Sequence, residues 1–381
     1  MKTKAAILWK VNTPWSVEEI DLDRPKRGEV LVKIKAAGLC HSEEHVVTGA
    51  AAFTPEMIQA LGRDQIPVIG GHEGAGVVIE VGEGVASLAP GDHVAASFIP
   101  SCGRCYWCST GKQNLCDLGA RLFAPGMITD ATDRHHARGQ WVNTYCKVGS
   151  FAEHTVVAEA SLIKIDEDYP FPQAAIVSCG VATGWGSAVY RGGVTAGDTV
   201  VVIGVGGVGS NAVQGAKLAG ATRIVAVDPV EFKREKAREL GATHVANSMQ
   251  DALPLVQQMT NGRMADKAII TVGQIEGDMI APAMALVSKA GTVVVTAMGS
   301  WAPVDGKIPL FELTAWNKEI KGTLFGSGNP RADIPKLLGL YRQGKLKLDE
   351  LITRTYSLDQ INEAYQDMRD GKNIRGVIVF D

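Results

Sequence analysis

The sequence predicts an α/β chain of two domains, a barrel-like antiparallel β domain joined to a doubly wound parallel sheet. Three observations carry that prediction. A chain of 381 residues, 46% hydrophobic and 21% charged, buries a large core and is long for one domain. Residues 1 to about 160 contain short, β-branched apolar runs punctuated by Gly, Pro and Asp. From residue 199 onward, Val- and Ile-rich runs alternate with amphipathic stretches, the βαβ rhythm of a parallel sheet covered on both faces.

In chain order, strands are expected at 5–8, 30–34, 76–81, 93–98 and 151–157, with turns at Gly82-Glu83-Gly84 and Pro90-Gly91-Asp92. The connection 51–67 contains one or two helical turns at 55–61. Residues 117–147 read as an irregular loop without sustained period, and loops of that length in compact domains usually serve a function. Its His135-His136 pair reads as exposed loop residues. Beyond 180, strands at 199–203, 223–228, 267–272 and 292–296 alternate with amphipathic stretches at 210–218, 231–240 and 279–289. The tail carries helix-like stretches at 333–342 and 359–370 and a last strand at 376–380.

Composition excludes several classes. A net charge of -3 without a basic run argues against nucleic acid, and a zinc-ribbon nucleic-acid binder would need a basic patch that is absent. No apolar stretch is long enough to span a bilayer, and the run at 5–9, broken by Lys10, is too short for the core of a signal peptide. The expectation is a cytoplasmic protein. Its seven cysteines agree, because four crowd into residues 102–116, and in a reducing compartment such crowding means metal more often than disulfide.

Gly204-Val205-Gly206-Gly207-Val208-Gly209 follows the strand 199–203 and opens a helix. Gly204 allows the tight turn, Gly206 lets the backbone approach a pyrophosphate, and Gly209 lets helix and strand pack closely, with Gly207 and Val208 between them. Asp228 ends the next strand, where a carboxylate accepts hydrogen bonds from both adenosine ribose hydroxyls and repels a 2'-phosphate. NAD is therefore expected over NADP, although Lys233 and Arg234 keep NADP open.

Cys102-x2-Cys105-x2-Cys108-x7-Cys116 has the spacing of a closed tetrahedral zinc site, which has no open position and is therefore structural. Catalysis would need a second metal site, for which Cys40, His72 and Cys179 are the remaining candidates. The segment Gly38-Leu39-Cys40-His41-Ser42-Glu43-Glu44-His45 holds a thiolate, a hydroxyl and two imidazoles, the groups that bind a metal and move a proton. Alone it reads as a buried structural cysteine beside a solvated polar turn, and the other stretches change that reading.

Taken together, Gly38 to Ser42, Gly71-His72-Glu73-Gly74, the four-cysteine lobe, Cys179-Gly180, the glycine-rich loop and Asn373-Ile374-Arg375 resemble the zinc-dependent medium-chain alcohol dehydrogenases over essentially the whole chain. Within them, Phe98-Ile99-Pro100 and Asp228-Pro229-Val230-Glu231-Phe232-Lys233-Arg234 look closest to the group assayed with nitrosodimethylaniline, described as nicotinoproteins that hold NAD tightly and pass electrons to an external carrier. The resemblance implies a GroES-like barrel at 1–179 and 324–381, including the structural zinc lobe at 102–116, interrupted by a Rossmann domain at 180–323, with the active site in the cleft between them. It implies two zinc ions per chain, the catalytic one on Cys40, His72 and Cys179. Ser42 would accept the alcohol proton and pass it through the nicotinamide ribose to His45, which otherwise reads as a surface histidine. Glu73 would approach the metal during ligand exchange. Glu43 stands where a carboxylate can orient His72, or forms a solvated face with Glu44. Phe98 and Tyr145 would line a pocket for a primary or aromatic alcohol, with Cys146 nearby as a small buried hydrophobe. The strand near 319–324 would pair subunits of a homo-oligomer, a dimer or tetramer.

Two departures from the family pattern bear on function. His41 stands where many relatives have an arginine on the pyrophosphate, which leaves Arg375 to carry most of the phosphate charge. The segment between His45 and His72 is also longer than usual, with the extra residues near 51–66. A glutathione-dependent formaldehyde dehydrogenase shares the metal sites and would use a basic group such as Arg121 to receive a carboxylate. A non-catalytic nucleotide-binding protein of the same fold would not be expected to keep Cys40, Ser42, His72 and Cys179 together.

Overall fold

A computed structural model describes residues 1–300 and 304–381, which divide into two compact units: Met1–Cys179 with Asn329–Arg342 and Leu348–Asp381, and Gly180–Gly328 with Gln343–Lys347.

The first unit holds two sheets. One contains seven strands; its path runs Leu162–Lys164, His93–Ala96, Glu73–Val81, Glu29–Gly38, Arg375–Val379, Ile352–Tyr356, and His154–Ala158 pairs with the long strand Glu29–Gly38. The other has six, in the order Gln140–Trp141, His135–Ala137, Ser16–Leu22, Lys2–Leu8, Val68–Ile69, Asn143–Thr144. Together they make the barrel-like domain, around a core that includes Leu8, Val32, Phe151 and Tyr365. The strand Glu29–Gly38 organises the site because its C-terminal end is gripped on both edges: Gly38 pairs with Glu73 on one side and Val377 on the other. A side chain at Gly38 would collide with the carboxylate of Glu73 and the guanidinium of Arg375, which is the physical reason for glycine there.

The second unit is a six-stranded sheet, every neighbouring pair of which is parallel, in the order His244–Ala246, Arg223–Val227, Thr199–Ile203, Ala265–Ile270, Val287–Val295, Glu319–Gly322. Counted along the chain this is 3-2-1-4-5-6, the doubly wound order whose switch point lies between the first and fourth strands. The strand Thr199–Ile203 is buried at all five positions, as an interior parallel strand must be, and this is why its sequence is Thr-Val-Val-Val-Ile without alternation.

Three expectations are corrected. The segment 117–147 is not without structure: it contains a 3-10 turn at Asp117–Arg121 and strands at His135–Ala137, Gln140–Trp141 and Asn143–Thr144. His135 is not an exposed loop residue but is 2% exposed, because its strand pairs it with Leu22 on the buried side of the sheet. Glu44 is likewise no part of a solvated face. It is buried, and its two carboxylate oxygens accept from Arg369 Nη1, at 3.0 and 3.1 Å. The helix Pro55–Leu61 does form where expected, with the Thr54 hydroxyl accepting from the Met57 N–H and proline in its first turn.

Candidate metal and dinucleotide sites

Cys40 follows the strand Glu29–Gly38 and precedes the short helix His41–Val47. His72 precedes the strand Glu73–Val81, and Cys179 sits in a π-helical turn, Val177–Val181, beyond the helix Phe171–Ile176. A π turn is a rare irregularity that often re-aims a side chain at a functional site. These separate elements bring one donor atom each of Cys40, His72, Glu73 and Cys179 to within 4.8 Å of one another, with His72 Nε2 3.2 Å from Cys179 Sγ. His72 and Cys179 are 107 positions apart in sequence.

Second contacts fix this set. Glu43 Oε1 accepts from His72 Nδ1 at 2.6 Å, so Nε2 is the nitrogen turned toward the sulfurs, the arrangement expected of a metal-binding imidazole. Glu43 and His72 are 1% and 2% exposed. Burial opposes the charge on His72, yet Glu43, Cys179 and Cys40 together carry its pKa well up. The hydrogen bond from Cys179 holds the Cys40 thiol well below its ordinary range, with His72 and Arg375 adding to the effect, while the same bond and burial push Cys179 up. Glu73 pairs with Arg375 through Oε2, and its Oε1 is buried without a hydrogen-bond partner. Two sulfurs, an imidazole nitrogen and a nearby unspent carboxylate oxygen form an electron-rich cup that fits zinc with one coordination position left for water or substrate.

The four-cysteine lobe has the geometry of a closed site. Cys102 Sγ lies 4.0 Å from Cys108 Sγ, and Cys105 Sγ lies 3.9 Å from Cys116 Sγ. For Zn–S bonds of about 2.3 Å the edge of a tetrahedron is about 3.8 Å. Backbone N–H groups of Cys102 and Cys105 point at Cys116 Sγ (3.4 Å) and Cys102 Sγ (3.3 Å), which favours thiolates there.

The other expected residues distribute around these centres. Ser42 Oγ is 3.5 Å from Cys40 Sγ, and His45 stands three residues further along the same helix, half-buried. Phe98 and Tyr145 both set their rings edge-on to His72, with centroids 5.4 and 5.5 Å away, and the Tyr145 hydroxyl donates to the Ser42 carbonyl at 3.2 Å. Arg375 is buried, with Nε lacking a hydrogen-bond partner, and His41 is exposed.

In the second unit Gly204 adopts φ +84°, and its N–H donates to the Val227 carbonyl at 2.8 Å, which starts the tight turn into the helix Gly207–Leu218. Gly209 packs so closely on Gly204 that a side chain would meet the Gly204 carbonyl. Asp228 is aimed back at this turn: Oδ2 accepts from Val205 N–H at 3.0 Å and Oδ1 from Val230 N–H at 2.9 Å. Arg234 donates to the Asp228 and Pro229 carbonyls, at 2.7 and 2.9 Å, while Lys233 is half-buried on the helix Glu231–Leu240. The turn, the helix N-terminus and the acid thus have the arrangement that receives a pyrophosphate and a ribose in doubly wound dinucleotide-binding sheets.

Sequence reasoning missed Arg63. Its guanidinium makes paired hydrogen bonds to Asp133 at 2.9 and 2.8 Å, reaches Asn143 Oδ1 at 2.9 Å, and stacks 3.4 Å from the Trp141 ring centroid. An arginine inside the extra segment 51–66 was the only available signal.

The family model described as the alcohol dehydrogenase GroES-like domain matches residues 26–167, and the zinc-binding dehydrogenase model matches residues 207–343. The chain is 49% identical over 379 residues to the NDMA-dependent alcohol dehydrogenase of Amycolatopsis methanolica, covering 100% of this chain and 99% of that protein. It is 50% identical over 380 residues to alcohol dehydrogenase B of Mycobacterium tuberculosis, with coverage of 100% and 99%. Among solved structures, benzyl alcohol dehydrogenase from Acinetobacter calcoaceticus superposes with a TM-score of 0.88 at 29% identity, covering 100% of both chains.

Proposed function

The chain belongs to the zinc-binding medium-chain alcohol dehydrogenases and is an oxidoreductase acting on alcohols, and from that premise we propose how its residues divide the work. Cys40, His72 and Cys179 hold the catalytic zinc, and Cys102, Cys105, Cys108 and Cys116 hold a second, structural ion. The observation that carries this reading is the convergence of the Cys40, His72 and Cys179 donors, with Glu43 fixing the ring of His72. When bound, zinc supplies a Lewis acid that lowers the alcohol's pKa, and NAD supplies the hydride acceptor.

The chain's own groups do the rest. Ser42 accepts the hydroxyl proton, and His45, one turn along the same helix face, carries it toward solvent. Phe98 and Tyr145 keep His72 in place and exclude water from the reacting carbon. Glu73 balances Arg375 and keeps one carboxylate oxygen for the metal during ligand exchange. The amides of residues 204–209 cradle the pyrophosphate, Asp228 binds the ribose, and Arg375 serves the phosphates with the donors that Glu73 leaves.

The cofactor is NAD, held through turnover, with electrons leaving to an external carrier. This is supported by the full-length likeness to the NDMA-dependent enzyme. Use of seven unbridged cysteines as ligands or small core residues fits a reducing, cytoplasmic setting. Among the described residues no helix is long and apolar enough to cross a membrane. Among the described residues the last strand of the parallel sheet, Glu319–Gly322, has a strand partner on one side only, and Leu310, Phe311 and Leu324, close to it in sequence, are exposed, which suits pairing with a second copy as a dimer.

The test is the ultraviolet spectrum and intact mass of the purified protein, combined with turnover. NAD(H) should co-purify, and alcohol should be oxidised with nitrosodimethylaniline but slowly with added NAD alone. Brisk NAD-dependent turnover by a cofactor-free preparation would reject retention and leave an ordinary NAD-dependent alcohol dehydrogenase.

A further inference from the structure

Glu43 spends one carboxylate oxygen, Oε1, on His72 Nδ1 at 2.6 Å, while its other oxygen, Oε2, is buried without a hydrogen-bond partner. A second such group lies in the same unit. Tyr365 is 1% exposed, and its hydroxyl also has no partner, although a buried tyrosine ordinarily finds one. An unpaired buried acceptor and an unpaired buried donor each cost stability, and each is relieved by meeting the other's chemistry.

The fold directs the two groups at one another. Tyr365 and Arg369 stand one turn apart on one face of the helix Ile361–Arg369. Arg369 Nη1 bonds both oxygens of Glu44, the neighbour of Glu43 on the helix His41–Val47, so the face that bears Tyr365 is pinned toward the helix that bears Glu43. The ring of Tyr365 is itself seated by Trp15, stacked at 6.0 Å between centroids, and by Phe151 at 6.2 Å. Trp15 and Phe151 also crowd Gly70 so closely that any side chain there would strike both, and the Phe151 N–H donates to the Gly70 carbonyl at 2.9 Å. The aromatic trio thus underlies the turn Gly70-Gly71-His72. Burial holds the Tyr365 hydroxyl well above its ordinary pKa, and Glu43 is the charge that adds most to this, followed by Cys40. The hydroxyl therefore keeps its proton and stays a donor.

We propose that the Tyr365 hydroxyl serves Glu43 Oε2 through one buried water, which makes Tyr365 a positioning residue for the metal-binding face of His72. No direct bond joins the two groups, and a hydroxyl with a proton to give and a carboxylate oxygen with one to accept are the two ends of a water bridge. Holding the second oxygen fixes the plane of the carboxylate, and with it the direction in which His72 turns Nε2 toward the sulfurs. The inference rests on the reading that Cys40, His72 and Cys179 hold zinc, and it adds a residue remote from the metal that sets how well they do so.

The test is zinc affinity by chelator competition in the full-length protein, for the wild type, Tyr365→Phe, Glu43→Ala and the double variant. Phenylalanine keeps the ring among Trp15 and Phe151 and removes only the hydroxyl. Tyr365→Phe should weaken zinc at the proposed catalytic set by about 3–30-fold, less than loss of the carboxylate itself, and leave the four-cysteine lobe unchanged. Added to Glu43→Ala, the same substitution should change the affinity by less than about 2-fold, because the route through Glu43 is already gone. A role in packing alone would give equal losses with and without Glu43. Wild-type affinity in Tyr365→Phe, or additive losses in the double variant, overturns the proposal. Should Tyr365→Phe fail to fold, a crystal structure of the wild type decides: a water between the Tyr365 hydroxyl and Glu43 Oε2 supports the proposal, and a hydroxyl bonded elsewhere overturns it. A wild-type chain that binds zinc only at the four-cysteine lobe would instead overturn the catalytic-zinc reading, a result seen before any variant is made.

Discussion

Acid should destabilise this protein in a way traceable to one side chain, His135. Its Nε2 is 3.1 Å from Thr155 Oγ1, and that hydroxyl donates its own proton to the Val148 carbonyl at 2.8 Å. Thr155 can then only accept, so His135 is the neutral tautomer carrying its proton on Nε2. Burial, with His136 and Arg134 adding to it, pushes the imidazole down to about 3. The unfolded chain has an ordinary histidine near about 6.5. Below that value the unfolded state takes up a proton that the folded state refuses. Stability is therefore fully present above about pH 6.5 and is lost as pH falls toward the folded value of about 3. At 1.36 kcal/mol per unit the loss between pH 7 and pH 5 is about 2 kcal/mol, and it grows to roughly 4–5 kcal/mol by pH 3. Urea unfolding of the wild type and of His135→Gln, whose amide still donates to Thr155, should be compared at pH 7 and pH 5. The variant should lose about 2 kcal/mol less than the wild type over that interval. Equal losses in the two proteins would show that His135 is not held neutral, and the argument from its burial would fail.

Other expectations concern the two sites. Replacing Glu43 with Gln removes the carboxylate from His72 Nδ1, so zinc affinity at the proposed catalytic set should drop about 10–100-fold in a chelator competition, with the four-cysteine lobe unaffected; an unchanged affinity would make Glu43 a mere filler of space. Asp228→Asn keeps an acceptor for one backbone N–H but removes the charge that repels a 2'-phosphate. The NAD-to-NADP affinity ratio of cofactor-stripped protein should fall on the order of 10–100-fold, and a constant ratio would mean the ribose contact has been misplaced.

What the sequence made legible follows physical rules. Parallel strands buried on both faces are continuous Val and Ile runs, so Thr199–Ile203 and Arg223–Val227 stand out. Ser16–Leu22 does not, because Ser-Val-Glu-Glu-Ile-Asp-Leu buries only two of its seven residues and reads as a charged connection. The helix Met249–Met259 is hidden by an internal proline, and His244–Ala246 by its length of three. At the candidate site, residue types and local spacing announced thiolates, imidazoles and a glycine-rich turn. The pairings that orient them are long-range. Glu43 meets His72 across 29 positions and Arg375 meets Glu73 across 302, and no local pattern encodes such contacts. His135 escaped for the same reason, since a His-His dipeptide in a polar loop says nothing about the strand register that buries one ring and leaves the other beside Asp23.

The central claim is that two separate donor sets on this chain each hold one zinc ion, one for chemistry and one for structure. Native mass spectrometry of the purified protein, with zinc identified by elemental analysis, tests it most directly. The account predicts two zinc ions per folded wild-type chain, whereas a fully active chain carrying a single zinc would contradict it.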